Sequence, residues 1–393
     1  MEPAGLHCTI TFPENQIAVL QPEGDLSLQT LAPSALFRAV QKAVSASTGG
    51  VIFAFDKLHI SDGFGLAHLL FLTIQLRRKG LAVAACGHGR NTEKLFTELC
   101  ANRFLRGYSS LDQALEQLRN SSGNALRNES IPPAAAEIAK NPSGHELLPS
   151  GLWPDELGPT VLTQDGDKTL NLNGRRPQGP GAGFGSLWQK TYKIRLVSQK
   201  PDLAEIAARL KNKLPEYWPA GNRIVLPEGL QPGAPGIINL TLPGGLPLNT
   251  GIRVLNVSEL AFSFVPLQGH MEAGWISFGV TAEDGCPTVV VQSLARTGDP
   301  FYELGFDMFG HRQQEEFWNH SLSALALDFD ENALVEISAT CLDSPKNWSG
   351  WTTLWWNAAL RAIAVSGWRR LRIRRRKPDP VPSSPADPKA DGL

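Results

Sequence analysis

Three groups of residues in this 393-residue chain have types and spacings that could do chemistry. The first is Gly269-His270-Met271-Glu272-Ala273-Gly274-Trp275, read as a turn between strands. Residues two apart on an extended segment project to the same side. His270 and Glu272 could therefore form a proton relay, the imidazole titrating near neutral pH and the carboxylate orienting it. The same His-x-Glu pattern also serves as a purely structural pair at a sheet corner. Arg296, after Ser293 at the end of a neighbouring strand, could clamp an anion, which makes Trp275, Ser293 and Arg296 the candidate ligand-binding set. The second group is the turn Ser61-Asp62-Gly63-Phe64-Gly65, where Ser61 and Asp62 supply oxygens suited to capping a following helix. The third is the C-terminal end, where five of the ten tryptophans fall between Trp348 and Trp368 and seven of the nine residues 369–377 are basic. Tryptophan at an apolar boundary followed by cations is the pattern of an interfacial helix on an anionic membrane. Trp351, Trp355, Trp356, Trp368, Arg369 and Arg370 would carry it. A C-terminal helix docked on the rest of the chain, with its indoles inward, fits the same residues, and aromatics interleaved with arginine also suit single-stranded nucleic acid.

Other chemistries find little support. Net charge is -1, which argues against a nucleic-acid binder. The five cysteines are scattered without a CxxC pair, and His270, His311 and His320 show no HExxH spacing, so neither a metal site nor a bound cofactor is expected. Gly181–Gly185 (GAGFG) lacks the GxGxxG spacing and precedes a strand-like run, so it reads as a linker hinge. The first residues lack the basic flank and apolar core of a signal peptide, and no run is long and apolar enough to span a bilayer. A cytoplasmic protein is expected, with the Trp/Arg tail as its one route to a membrane surface.

Elements must position these groups. Residues 1–120 alternate strand and helix: strands at 7–12 and 16–20, a helix at 33–46, a buried strand at 51–55, a helix at 66–79, a strand at 81–85, and helices at 92–100 and 111–118. In the next stretch, 18 of the 67 residues 121–187 are Gly or Pro, which predicts a linker over 121–186. Over 187–330 one strand and a helix at 201–214 precede six strand-like runs and a helix at 313–327, where Trp318, Leu322 and Leu325 form one stripe. A Trp/Arg-rich segment at 331–377 and a disordered tail at 378–393 complete the chain.

The order of the first unit resembles the STAS domain, the anti-sigma factor antagonist family. Gly24-Asp25-Leu26 matches that family's turn after the second strand, and Val51–Leu70 (VIFAFDKLHISDGFGLAHLL) is similar to its strand, turn and helix. Gly80 with the strand after it, and Ser109–Leu115, match two later segments. The resemblance implies an α/β domain that docks a protein partner through the Ser61–Gly65 turn. The family places a phosphorylatable serine directly after the aspartate, where helix N–H groups favour a phosphate. Here Gly63 and Phe64 follow Asp62, so the module looks like a docking surface without a phospho-switch. The second unit resembles the START-like helix-grip fold of the SRPBCC superfamily, through TGIRVLNV, AFSFVPLQGHMEAGWISFGV and VVVQSLARTGDP. That implies an α+β domain whose curved sheet wraps its last helix and leaves an apolar cavity.

Together these readings predict a non-enzymatic regulatory or adaptor protein, with a STAS-like module docking a protein partner and a helix-grip domain binding a small apolar ligand. The alternatives are a cyclase- or hydrolase-like enzyme using His270 and Glu272, or a peripheral membrane protein recruited by its tail.

Overall fold

The computed structural model describes residues 5–14, 16–31, 35–46, 49–120, 145–160, 172–198, 201–242, 246–305 and 311–361. Its N-terminal region is a mixed α/β layer. Strands β1 (His7–Glu14), β2 (Ile17–Leu26), β3 (Gly50–Ala54), β5 (Ala82–Cys86) and β6 (Arg106–Tyr108) lie side by side in that order, and β4 (Lys57–Ile60) pairs with the far end of β2. Only β1 is antiparallel to its neighbour; the remaining pairs are parallel. β3 is buried along its whole length, as a parallel strand covered on both faces must be. Helices α1 (Ala35–Ser45), α2 (Gly63–Arg78) and α3 (Arg90–Glu98) pack on the face carrying Val51, Phe53 and Phe55. Helix α4 (Leu111–Asn120) covers the opposite face through Ala114, Leu115 and Leu118.

The second part is one eight-stranded antiparallel sheet. Its strands are β7 (Leu187–Arg195), β8 (Arg223–Val225), β9 (Pro235–Leu242), β10 (Leu246–Val257), β11 (Ala261–Pro266), β12 (Glu272–Glu283), β13 (Cys286–Thr297) and β14 (Glu336–Asp343), in the order β14-β7-β13-β12-β11-β10-β9-β8. Helices α5 (Leu203–Lys213) and α7 (His311–Leu327) lie on one face, with the short α6 (Pro300–Gly305) between β13 and α7. Trp318, Leu322 and Leu325 of α7 are buried against Tyr192, Phe262, Phe264 and Phe278. The space expected to form an apolar cavity is filled by these rings: Trp318 stands 5.4 Å from Phe278, and Phe262 stacks on Phe278 at 4.9 Å.

The other face of this sheet is covered by the N-terminal layer. Helix α2 lies between the two sheets and touches β11, β12 and β14 as well as its own β4 and β5. Trp275, Leu255, Val265, Leu294 and Leu342 share one hydrophobic core with Leu66, Leu69 and Leu72 of α2. The described residues up to Ala358 form one compact unit, in which the two sheets and α2 share a core.

The segment expected as a linker takes part in that packing wherever it is described. Trp153 is buried and donates to the Ile60 carbonyl at 2.7 Å, and Gln178 donates to Pro266 at 2.8 Å. The glycines that suggested flexibility serve close approach instead: a Cβ on Gly179 would sit 1.8 Å from the Leu99 carbonyl oxygen. Residues 121–144 lie outside the described residues, as do Trp368, Arg369, Arg370 and the tail at 378–393. β14, read as part of the C-terminal segment, is an edge strand of the large sheet paired to β7.

Candidate functional site

One cleft of about 110 Å³ opens on the helix-covered face of the large sheet, beside the first turn of α7. Its walls include Trp188 and Lys190 of β7, Ser293 and Arg296 of β13, Glu272 at the start of β12, and Gln314 of α7. The register explains the convergence. Lys190 lies directly opposite Ser293, and Trp188 opposite Ala295, so alternate residues of adjacent strands face the same space. Further along β7 the same face carries the buried Tyr192 and Ile194 under α7. The aromatic filling ends where the polar side chains begin.

Three polar groups from three elements form a chain at the cleft. The Lys190 ammonium donates to Gln314 Oε1 at 2.6 Å, and Gln314 Nε2 donates to Glu272 Oε1 at 3.1 Å. Burial pushes the Glu272 carboxyl above its ordinary range, against the opposing pull of Lys190 and Gln314. Burial pushes Lys190 below its ordinary range, against the charges of Glu272 and Glu315. Desolvation thus acts against both charged forms at once.

Glu272, Ser293 and Arg296, selected in the sequence, meet at this cleft. Arg296 does not present its guanidinium there as an anion clamp. Its Nη2 donates to Asp343 at 3.0 Å, its Cζ lies 6.0 Å from the centre of the Phe104 ring, and its buried Nε has no partner among the described residues. As an even-numbered residue of β13 it points to the N-terminal side of the sheet, and the cation facing the cleft is Lys190. The His270–Glu272 relay is not formed. His270 precedes β12, so the two-residue periodicity does not apply to it. Its Nδ1 accepts the Glu272 backbone N–H at 2.9 Å, and burial pushes the ring down to about 4. Trp275 is also absent from the cleft walls: its indole donates to the Gly63 carbonyl at 3.2 Å on the other face.

The turn expected to dock a protein partner is buried inside the chain. Asp62 caps α2, accepting from Gly65 N and Leu28 N at 2.9 Å each, and burial pushes its carboxyl up to about 6. Phe64 packs with Ala261 and Val290 of the large sheet. A Cβ on Gly63 would lie 2.2 Å from Ser263 Oγ and 2.4 Å from Ser277 Oγ, so any side chain there would force its neighbours to move. Ser61 donates to Asp25. The surface that a partner would occupy is taken by this chain's own β11 and β12.

Lys190 and Gln314 were missed in the sequence, though a signal for each exists. Lys190 interrupts the otherwise apolar face Trp188, Tyr192, Ile194 of its strand, and Gln314 extends the Trp318–Leu322 stripe one turn upstream. Among the described residues, no cluster of three His, Cys, Asp or Glu side chains could hold a metal ion, and no helix is long and apolar enough to cross a membrane.

No protein-family model and no curated protein matches the chain. Solved structures similar to parts of it include an anti-sigma factor antagonist from Mycobacterium paratuberculosis, 18% identical, covering 30% of this chain and 96% of that one with a TM-score of 0.26. A conserved protein from Geobacillus kaustophilus is 13% identical, covering 38% and 99% with a TM-score of 0.29. StfQ, a di-domain ARO/CYC protein of the steffimycin biosynthetic pathway, is 14% identical, covering 35% and 49% with a TM-score of 0.28.

Proposed function

We propose that the protein is a non-enzymatic, cytoplasmic regulatory protein that binds a small polar molecule in the cleft between its large sheet and α7. In this reading the sheet is a helix-grip scaffold whose inner space is packed and whose mouth is the binding site. The Lys190–Gln314–Glu272 chain is the observation that carries it. A buried ion pair adds little stability over packed apolar side chains, so three polar groups meeting on an otherwise aromatic face are better explained by recognition. The opposed charges suit a molecule bearing both an anionic group and a hydrogen-bond donor, such as an amino acid or a small hydroxy acid. The volume is of the order of the ~150 Å³ cavity known to hold a benzene-sized guest. A ligand there would reach the N-terminal layer through Arg296, which lines the cleft and turns its guanidinium toward Phe104. The sequence likeness of residues 1–120 to anti-sigma factor antagonists supports a regulatory role. The five free cysteines suit a reducing compartment.

Differential scanning fluorimetry against a panel of amino acids and small hydroxy acids tests the reading. At least one should raise the melting temperature of the wild type, and Lys190→Met should abolish that rise. A panel that leaves both proteins unmoved, together with native mass spectrometry showing no retained molecule after purification from the source cell, would sink it.

A further inference from the structure

Residues 348–356 form a 3-10 turn in which four tryptophans are held outward. Trp348, Trp351, Trp355 and Trp356 are 70%, 52%, 77% and 42% exposed, and beside them on α6 Leu304 is 66% and Phe301 42% exposed. The turn is fastened by its small and polar residues. Asn347 donates its side-chain N–H groups to the Gly181 and Gly183 carbonyls at 3.0 and 2.8 Å, Thr353 donates to Gly298 at 2.7 Å, and Asn357 to Asp299 at 2.8 Å. Asn347, the buried Gly350 and Thr353 recur every third residue, the spacing that aligns side chains along one ridge of a 3-10 helix. The groups that fasten the turn are therefore small or polar, while its four tryptophans stay exposed, the reverse of what folding alone favours. Trp348 rests edge-on against Phe184 at 5.0 Å and the Arg175 guanidinium lies 4.2 Å over Trp356, so these two rings are fixed in place while still exposed. A contiguous exposed apolar patch of this kind marks an interaction surface.

We propose that this aromatic patch is a docking surface for an anionic phospholipid bilayer. Charge decides the occupant. The sequence that follows, Arg369–Lys377, carries seven basic residues in nine, all of one sign. Indoles settle at the headgroup boundary, with the amphipathic ring straddling apolar and wet regions. Each basic residue near an anionic surface strengthens binding by roughly fivefold, and exposed charges of this kind are screened by salt. The C-terminal alternative in which the indoles turn inward does not hold for the four described tryptophans. The proposal is independent of the cleft and of its ligand.

Co-sedimentation of the full-length protein with vesicles tests it. Vesicles of phosphatidylcholine mixed with phosphatidylglycerol should bind the protein, vesicles of phosphatidylcholine alone should bind it weakly, and added salt should reduce binding. In Trp351→Ser/Trp355→Ser the partition should fall by about tenfold or more. The melting temperature should stay unchanged, because both side chains are exposed. Quenching of tryptophan fluorescence by brominated lipid, lost in the same variant, places the indoles at the interface. Equal binding to neutral vesicles, or binding that survives the double substitution, overturns the proposal. So does a wild type that ignores vesicles but self-associates through these tryptophans, seen as a mass change in sedimentation that the substitutions remove.

Discussion

At the scale of single residues, two histidines and one aspartate set opposing demands on pH. Burial holds His68 and His270 down to about 4 each. Both are neutral in the fold, whereas in the unfolded chain each takes up a proton below about 6.5. Their contribution is thus fully present above that pH and is lost as pH falls toward 4. The slope is about 1.4 kcal/mol per pH unit for each group. Asp62 runs the other way. Its raised carboxyl contributes stability below about 4 that disappears as pH rises through 6. Glu272 and Asp299, whose carboxyls burial also raises, act with Asp62, and His59, which burial lowers, acts with the two histidines, so the net slope between pH 4 and 6 is a difference between groups of opposite sense. Urea unfolding at pH 7 and pH 4.5 isolates the histidine contribution when the wild type is compared with a variant lacking it. A His68→Gln/His270→Gln variant, which keeps Asp62 and the other buried carboxyls, should lose less stability over the same interval than the wild type, or gain. A variant that weakens as steeply as the wild type would place the acid sensitivity elsewhere.

At the scale of elements, the N-terminus of α2 decides how the two sheets meet. A serine at position 63 puts a Cβ 2.2 Å from Ser263 Oγ and 2.4 Å from Ser277 Oγ. Gly63→Ser should therefore destabilise the protein by about 1–3 kcal/mol through overpacking. Ser263→Gly in the same chain should recover part of that loss in a thermal melt. A serine tolerated without cost would show that α2 can shift on the sheet. Many elements of each sheet were legible beforehand, though not how the two sheets meet. The strands and helices of residues 1–120 follow from apolar spacing and glycine stops, and only the short β4 and β6 give too brief a pattern to read. In the large sheet, Val289-Val290-Val291 and Ala261–Pro266 lack the polar alternation of a sheet with one wet face. β11 is buried at every position and β13 at nearly every one, so two-sided burial was written there even though the covering layer was not. The site was read less well. Glu272, Ser293 and Arg296 converge, but periodicity alone cannot tell which face Arg296 takes or that His270 lies before its strand begins.

At the scale of the whole molecule, cooperativity follows from where α2 sits. A helix between two sheets has no solvated face: from Gly63 to Leu76 it is buried at all but a few positions, and its low polarity is explained only by both neighbours together. Residues 1–120 cut away from the large sheet would expose Phe64 and the rest of that second face to water. The large sheet would correspondingly expose Trp275, Val290 and Leu294. A fragment ending at residue 120 should therefore self-associate or remain insoluble. The full chain, by contrast, should unfold in one calorimetric transition whose van't Hoff and measured enthalpies agree, the mark of a single cooperative unit. Fragments 1–120 and 145–361 expressed together should solubilise each other, since the contact between them is apolar and shaped by the Gly63 gap. Two resolved transitions, or a monomeric and well-ordered 1–120 fragment, would show that the N-terminal layer stands alone. Its close fit against β11 and β12 would then be a reversible dock, and the Ser61–Gly65 turn would be released for another partner whenever it opens.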